Sequence, residues 1–297
     1  MPELPDITVY IEAIQRFAGG ETLEKITISD PFVLRTVRPP AEDFSGRPLV
    51  DVSRLGKRIV LSFEGDLHVV IHLMIAGRLR WRAAETKPPG RSALAVCVFS
   101  SGSLVLTEAG SKRRASIHLV EGGDGLADHD PGGLEVLESG LDAFRREVTN
   151  ERHTLKRSLT DPRILSGIGN AYSDEILHRA RLSPFRLSDG LRDEEMRALH
   201  QAVIDVLNEW TDRLRDEVGE DFPTRVSAFH EEMAVHGRFG KPCPDCGVPV
   251  QRIRYADSEC HYCAGCQTGG RILADRSLSR LLKADWPKTL DDLERKR

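Results

Sequence analysis

Between Glu21 and Leu119 the chain runs in short apolar bursts, such as RIVLSFEG, LHVVIHLM, LAVCVFSS and SLVLTE, separated by glycine, serine and charge. Runs of this length, rich in β-branched residues, predict a mostly antiparallel β sandwich or barrel. Ahead of them, ITVYIEAIQRFAGG spaces Val9, Ile11, Ile14 and Phe17 at roughly helical intervals and stops at Gly19-Gly20. Residues 6–18 are therefore expected to form one amphipathic helix. The stretch EGGDGLADHDPGG, 121–133, reads as a linker closing the β domain. From Leu137 to about Glu217 the period becomes helical, broken by SGIGN and RLSPFRLS, and predicts an all-α middle domain. A cysteine-bearing unit follows, then a polar tail, SRLLKADWPKTLDDLERKR, expected to form one short helix. No internal repeat or low-complexity tract interrupts this order. The reading is an α+β multidomain chain divided at 1–125, 126–237, 238–275 and 276–297.

At 297 residues the chain is long enough for two or three domains with a real core. Its net charge of -4 argues against a uniformly basic nucleic-acid coat, so any such binding must rest on local cation clusters. No apolar run approaches the ~18 residues that span a bilayer, and MPELPDITVYIEAI lacks the basic-then-apolar order of a secretory signal. An intracellular protein with no membrane partner is expected. No dinucleotide fingerprint or nucleotide loop occurs, which counts against an oxidoreductase.

Charge and length leave chemistry open; the cysteines narrow it. In a reducing compartment, six cysteines with five of them between Cys243 and Cys266 suggest metal binding rather than disulfides. Cys97, in ALAVCVFS, is a core residue. Cys243 and Cys246 form one knuckle, and Cys263 and Cys266 a second after sixteen intervening residues. Four thiolates in two such pairs can close a tetrahedral zinc site with no open position, so the metal is structural. The intervening PVQRIRYADSECHY alternates as a β hairpin would, making this a zinc ribbon. Cys260 also stands at CxxC spacing from Cys263, but the knuckle glycines favour Cys263 with Cys266, leaving Cys260 a spare thiol. Arg252, Arg254 and Arg271 lie on or beside the ribbon, suited equally to phosphate contact and to a solvated basic face.

Three further stretches carry candidate chemistry. In LKRSLTDPRILSGIGNAYSDEIL, Gly167, Gly169 and Asn170 precede a predicted helix, where backbone amides can hold a phosphate oxygen. Such turns are also ordinary helix joints; Lys156, Arg157 and Arg163 nearby favour the binding reading. Lys57, in VSRLGKRIVLSF, opens a strand after a glycine, and SKRRAS, with Lys112, Arg113 and Arg114, is a basic loop that is either a soluble turn or a probe for a duplex. The chain start, MPELPDI, would expose the secondary amine of Pro2 once Met1 is trimmed. A neutral amine can attack an electrophilic carbon, although most chain ends are chemically idle.

Taken together, MPELPDI, LGKRIV, HLMIAGRL, SGIGNAYSDEIL, VHGRFGKPC and CPDC…CAGCQ resemble the formamidopyrimidine-DNA glycosylase and endonuclease VIII family of base-excision repair enzymes, from Pro2 to about Ile272. The resemblance implies an N-terminal helix and β sandwich, a helix-two-turns-helix domain and a zinc ribbon, with DNA in the cleft between lobes. It implies a monomeric bifunctional glycosylase and abasic-site lyase. Its partner would be damaged DNA, double-stranded or partly single-stranded. By motif, Pro2 is the nucleophile at C1′, Glu3 the acid or base at the sugar, Lys57 a phosphate-binding and catalytic cation, and Asn170 a phosphate ligand near the lesion. A non-catalytic or lesion-specialised binder of damaged DNA with the same fold is the alternative.

The chain departs from the family pattern in four places. Asp6 stands where Glu is common. Ile75 occupies the usual place of a void-filling Met, with Met74 one residue early. Arg113-Arg114-Ala115 replaces Arg-Arg-Phe, and Ser258 replaces an arginine.

Overall fold

The computed structural model describes residues 1–84, 93–109, 112–224, 230–254, 258–283 and 286–295, and these divide into two compact units. The first comprises Met1–Pro131 together with Glu209–Ala228. Its opening helix α1 (Leu4–Ala18) starts two residues earlier than the apolar period predicts. Glu3 caps it, and Pro5 in the first turn loses no bond because the first amides of a helix have no intrahelical acceptor. One face, with Ile7, Tyr10, Ala13 and Ile14, is buried in the core.

Eight antiparallel strands follow: β1 (Thr22–Ile28), β2 (Arg47–Leu55), β3 (Arg58–Phe63), β4 (Leu67–His72), β5 (Gly77–Ala83), β6 (Ala93–Phe99), β7 (Gly102–Glu108) and β8 (Ser116–Glu121). Their order is β5-β7-β6-β1-β2-β3-β4-β8, and only two residue pairs join β1 to β2. That short seam divides the strands into two four-stranded layers, the expected sandwich. The period of two decides what each strand buries. Ile59, Leu61 and Phe63 of β3 and Val69 and Ile71 of β4 enter the main core, while Val60, Val70 and Val120 form a small cluster on the opposite face.

Two stretches of this unit hold more than the sequence pattern shows. The glycine-rich stretch after β8 is not all linker, since α2 (Gly122–Ala127) forms within it. The Gly122 amide bonds the Asp66 carbonyl and anchors this poor helix former. Residues 209–228, expected with the middle helices, group with the sandwich. Phe222 lies in the sandwich core against Tyr10 and Phe17, and the Arg215 guanidinium donates to both Glu12 carboxylate oxygens.

The second unit, Gly132–Asn208 with Phe229–Arg297, contains α3 (Leu141–Thr149), α4 (Leu155–Thr160), α5 (Asn170–Arg179) and the start of α6 (Asp193–Val218). The hairpin β9 (Gln251–Arg254) and β10 (Glu259–Tyr262) follows, and α7 (Ala264–Thr268) carries the second knuckle. Residues 255–257, at the hairpin tip, lie outside the described residues. The tail holds two short helices rather than one, α8 (Arg276–Leu282) and α9 (Leu290–Arg295). It folds back on the hairpin: the buried Asp275 carboxylate accepts the Arg254 amide at 2.7 Å, and Leu290 packs on the cluster of Ile253, Cys260 and Tyr262.

Candidate active site and metal centre

At the chain start, Glu3 and Asp6 cap α1 reciprocally: the Glu3 amide donates to Asp6 Oδ2 at 2.8 Å, and the Glu3 carboxylate accepts the Asp6 amide. Both acids and Pro2 are buried. Burial lowers the proton affinity of the Met1 amine, and the Arg78 and Lys57 cations add to this against the opposing pull of Glu3 and Asp6. An amine held here is thus biased toward its neutral, nucleophilic form. Lys57, expected to open a strand, lies instead in the β2–β3 turn, one residue before β3 begins at Arg58.

Sequence reasoning missed two groups of this region, although both lie inside HLMIAGRL. Arg78, on β5, acts on both the Met1 amine and Asp6. His72, paired with Arg58 across β3 and β4, is pushed down to about 4 by burial, Arg58, Lys57 and His118, and is neutral at pH 7. Nothing in the pattern of a strand end distinguishes such residues from solvated ones. Between them the chain turns tightly. A Cβ at Gly77 would sit 2.2 Å from the Leu73 carbonyl oxygen, so only glycine fits, and Met74 takes φ +54. Ile75 consequently projects outward, 59% exposed.

Asp6 is 1% exposed, and its Oδ1 has no hydrogen-bond partner. Burial first, then the Glu3 charge, raises its carboxyl to about 7 against the help of the Glu3 amide. Since the unfolded chain gives up this proton near pH 4, the group favours folding least above pH 7. Its contribution falls as pH rises from about 4 to 7. Asp6→Asn removes that dependence and is expected to gain on the native protein by about 2–4 kcal/mol between pH 4.5 and pH 8. Urea unfolding of both proteins across that range checks this, and a difference independent of pH contradicts it.

The basic loop before β8 is pinned from below. Glu108 Oε2 accepts the Arg114 and Ala115 amides at 2.8 and 3.0 Å, and Ala115, 2% exposed, belongs to the sandwich core. Lys112, Arg113 and Arg114 are exposed, with Arg113 paired to Asp30 at 2.7 Å. The position compared with the family's aromatic probe therefore points inward.

In the second unit, Gly167, at φ +81, turns the chain into α5, and Asn170 is the first residue of that helix. The Asn170 amide side chain donates to the Glu259 carbonyl at 2.8 Å. Lys156, expected at a phosphate, is instead buried: its ammonium donates to the Asn170 carbonyl, Ser173 Oγ and Asp174 Oδ1 at 2.7, 2.8 and 2.5 Å. It buttresses the turn from behind. Burial alone would raise the Asp174 carboxyl, but Lys156 and then the His236 hydrogen bond outweigh it and hold it far below the usual carboxylate range. Glu175 accepts the amides of Ala234, Val235 and His236, fastening VHGRFG to α5.

Arg252 and Arg254 project from β9 and share Glu259 on the paired strand, at 3.1 and 3.2 Å. Arg252 also stacks over Phe239 at 4.4 Å. Arg271 follows α7 and is exposed. The sulfurs of Cys243, Cys246, Cys263 and Cys266 lie within 4.8 Å of one another, with the 243–266 and 246–263 pairs at 3.9 and 3.3 Å. Thiolates on a tetrahedral zinc are about 3.8 Å apart, so this set can hold a metal ion. Cys260 is outside it, buried in β10.

Comparison with known proteins agrees in both units. The formamidopyrimidine-DNA glycosylase N-terminal domain matches residues 1–115, and the formamidopyrimidine-DNA glycosylase H2TH domain matches 133–216. A formamidopyrimidine-DNA glycosylase of Heliobacterium modesticaldum is 32% identical over 280 residues, covering 90% of this chain and 100% of its own. The crystal structure of the MutM (Fpg) protein from Thermus thermophilus superposes with a TM-score of 0.74 at 31% identity, covering 90% of this chain and 98% of that one. A Lactococcus lactis Fpg bound to FAPY-dG containing DNA shares the fold, with a TM-score of 0.77 at 21% identity over 90% and 100% of the two chains.

Proposed function

Because the chain belongs to the formamidopyrimidine-DNA glycosylase family, we propose that it excises damaged bases from DNA and cleaves the resulting abasic site through a Schiff base on Pro2. The observation that carries this reading is the buried chain start, where Pro2, Glu3 and Asp6 share one site under the fields of Arg78 and Lys57. Loss of Met1 turns the Pro2 nitrogen from an amide into a secondary amine.

That nitrogen bonds to C1′ as the C1′–base bond breaks and its electron pair leaves with the base. The proton that the nitrogen carried then passes through Glu3 to O4′, the freed nitrogen electron pair opens the O4′–C1′ bond, and an iminium remains. A secondary amine gives an iminium with an obligate positive charge, which acidifies the C2′ hydrogen. Elimination expels the 3′ phosphate and then the 5′ phosphate. The base must first leave the stack. Lys57 and the Asn170 turn are read as phosphate holders, with Lys112, Arg113, Arg114, Arg252, Arg254 and Arg271 along the backbone. Zinc on the four thiolates fixes the ribbon and takes no part in chemistry. Among the described residues no helix is long and apolar enough to cross a membrane. Borohydride trapping on duplexes carrying an abasic site, 8-oxoguanine, formamidopyrimidine or an oxidised pyrimidine tests the chemistry and ranks substrates; no trapping on any of them would favour the non-catalytic binder.

The inward Ala115 bears on lesion context. An aromatic ring stacked on bases contributes about 1–3 kcal/mol, and the exposed arginines of this loop bond more flexibly than a ring stacks. Opposite-base preference is expected to be small, and excision from bubbles or single strands to equal or exceed that from stacked duplex. Single-turnover excision of one oxidised base against all four partners measures this. A strict need for cytosine, with inactivity on single strands, would instead assign the gap to the outward Ile75 or to Met74.

A further inference from the structure

Helix α5 places Asp174, Glu175 and His178 on buried ground, and the first two are accounted for by backbone amides, Lys156 and His236. His178 is different. Its Nε2 lies 3.2 Å from Cys243 Sγ, and both residues are buried. The Asp245 carboxylate, in the same knuckle, is 4.0 Å from that nitrogen, beyond hydrogen-bond reach. The ring nitrogen shares close grouping with Asp245 and Cys266 but does not join the four mutually close sulfurs.

We propose that His178 is a positioning residue for the metal centre, donating its Nε2–H to the Cys243 thiolate from outside the coordination shell and slowing release of the metal. This rests on the zinc reading above. Four thiolates around a dication leave two net negative charges, and Cys243 is the thiolate buried deepest in its knuckle. A donor aimed at that sulfur shares the excess negative charge and fixes the direction in which the sulfur faces the metal, so the ligand is lost less readily. A phenylalanine would fill the same space without donating. The bond also ties the knuckle to the last turn of the helix that begins at Asn170.

The test compares the native protein with His178→Phe and His178→Gln, the glutamine retaining an N–H at similar reach. Metal content comes first: a native protein without metal defeats the zinc reading, before any variant is compared. With one metal per chain, chelator-driven release from His178→Phe should be about tenfold faster, and His178→Gln should restore most of the native rate. In the cobalt-substituted proteins the thiolate-to-metal charge-transfer band of His178→Phe should move to lower energy, since the sulfur lone pair is no longer stabilised. Unchanged release and an unmoved band overturn the proposal, as does a native cobalt spectrum of three thiolates and one nitrogen. Should His178→Phe fail to fold, the native protein loaded with cadmium-113 decides. Coupling between the His178 ring proton and the metal through sulfur supports the bond, and its absence refutes it.

Discussion

A protein extended by one residue ahead of Pro2 is expected to lose borohydride trapping on abasic-site DNA and to excise damaged bases at least about 1,000-fold more slowly. An amide nitrogen has no available electron pair, so neither bond formation at C1′ nor the iminium is open to it. The fold should survive, because α1 is held by the Glu3–Asp6 cap and its apolar face rather than by the terminal amine. Equal unfolding midpoints for the two proteins would confirm that chemistry alone has been removed. The native enzyme should begin at Pro2 by intact mass and form one covalent adduct per chain after borohydride, mapped to that residue. Undiminished trapping by the extended protein would move the nucleophile to another amine, Lys57 first.

Cys263→Ser is expected to lose the metal and, with it, DNA affinity. Cys263 is fully buried, and its thiolate both faces Cys246 at 3.3 Å and caps α7 by accepting the Cys266 amide. Binding free energy for a structural zinc is on the order of 10 kcal/mol and is spent on folding its lobe. Three thiolates cannot close the site, and the ribbon bearing Arg252 and Arg254 should lose its hairpin. Cys260→Ser should keep the full metal complement, because Cys260 faces the cluster of Ile253 and Tyr262 and not the sulfurs. Metal content with salt-dependent DNA binding separates the cases. Loss of metal from Cys260→Ser with retention in Cys263→Ser would reverse the pairing.

The sandwich was readable because its strands are short apolar runs, buried at most positions in β3, β4 and β6, that end at glycine, serine and charge. The cysteine spacing likewise specifies four donors, since two knuckles leave little freedom. Partners distant along the chain left no such mark. Lys156 looks like any cation on a helix until α5 brings Asp174 beneath it, and Arg252 and Arg254 look unopposed until the hairpin register sets Glu259 beside them. The short helix after β8 was hidden by its own composition, three glycines in six residues, whose order comes from tertiary anchoring rather than propensity. His178 was invisible for the same reason as Lys156, its sulfur partner lying 65 residues away.

The first unit has a seam in time as well as in sequence. Phe222 and the Arg215 side chain complete it from beyond the whole span Gly132–Asn208. A ribosome adding roughly 5–20 residues per second has finished the eight strands some 5–20 s before it makes Ala228. During that interval Tyr10 and Phe17 lack the ring that covers them. The nascent sandwich is therefore a natural client for chaperones. A gene truncated after Pro131 should give an aggregating product, and restoring residues 209–228 through a short linker should rescue its solubility.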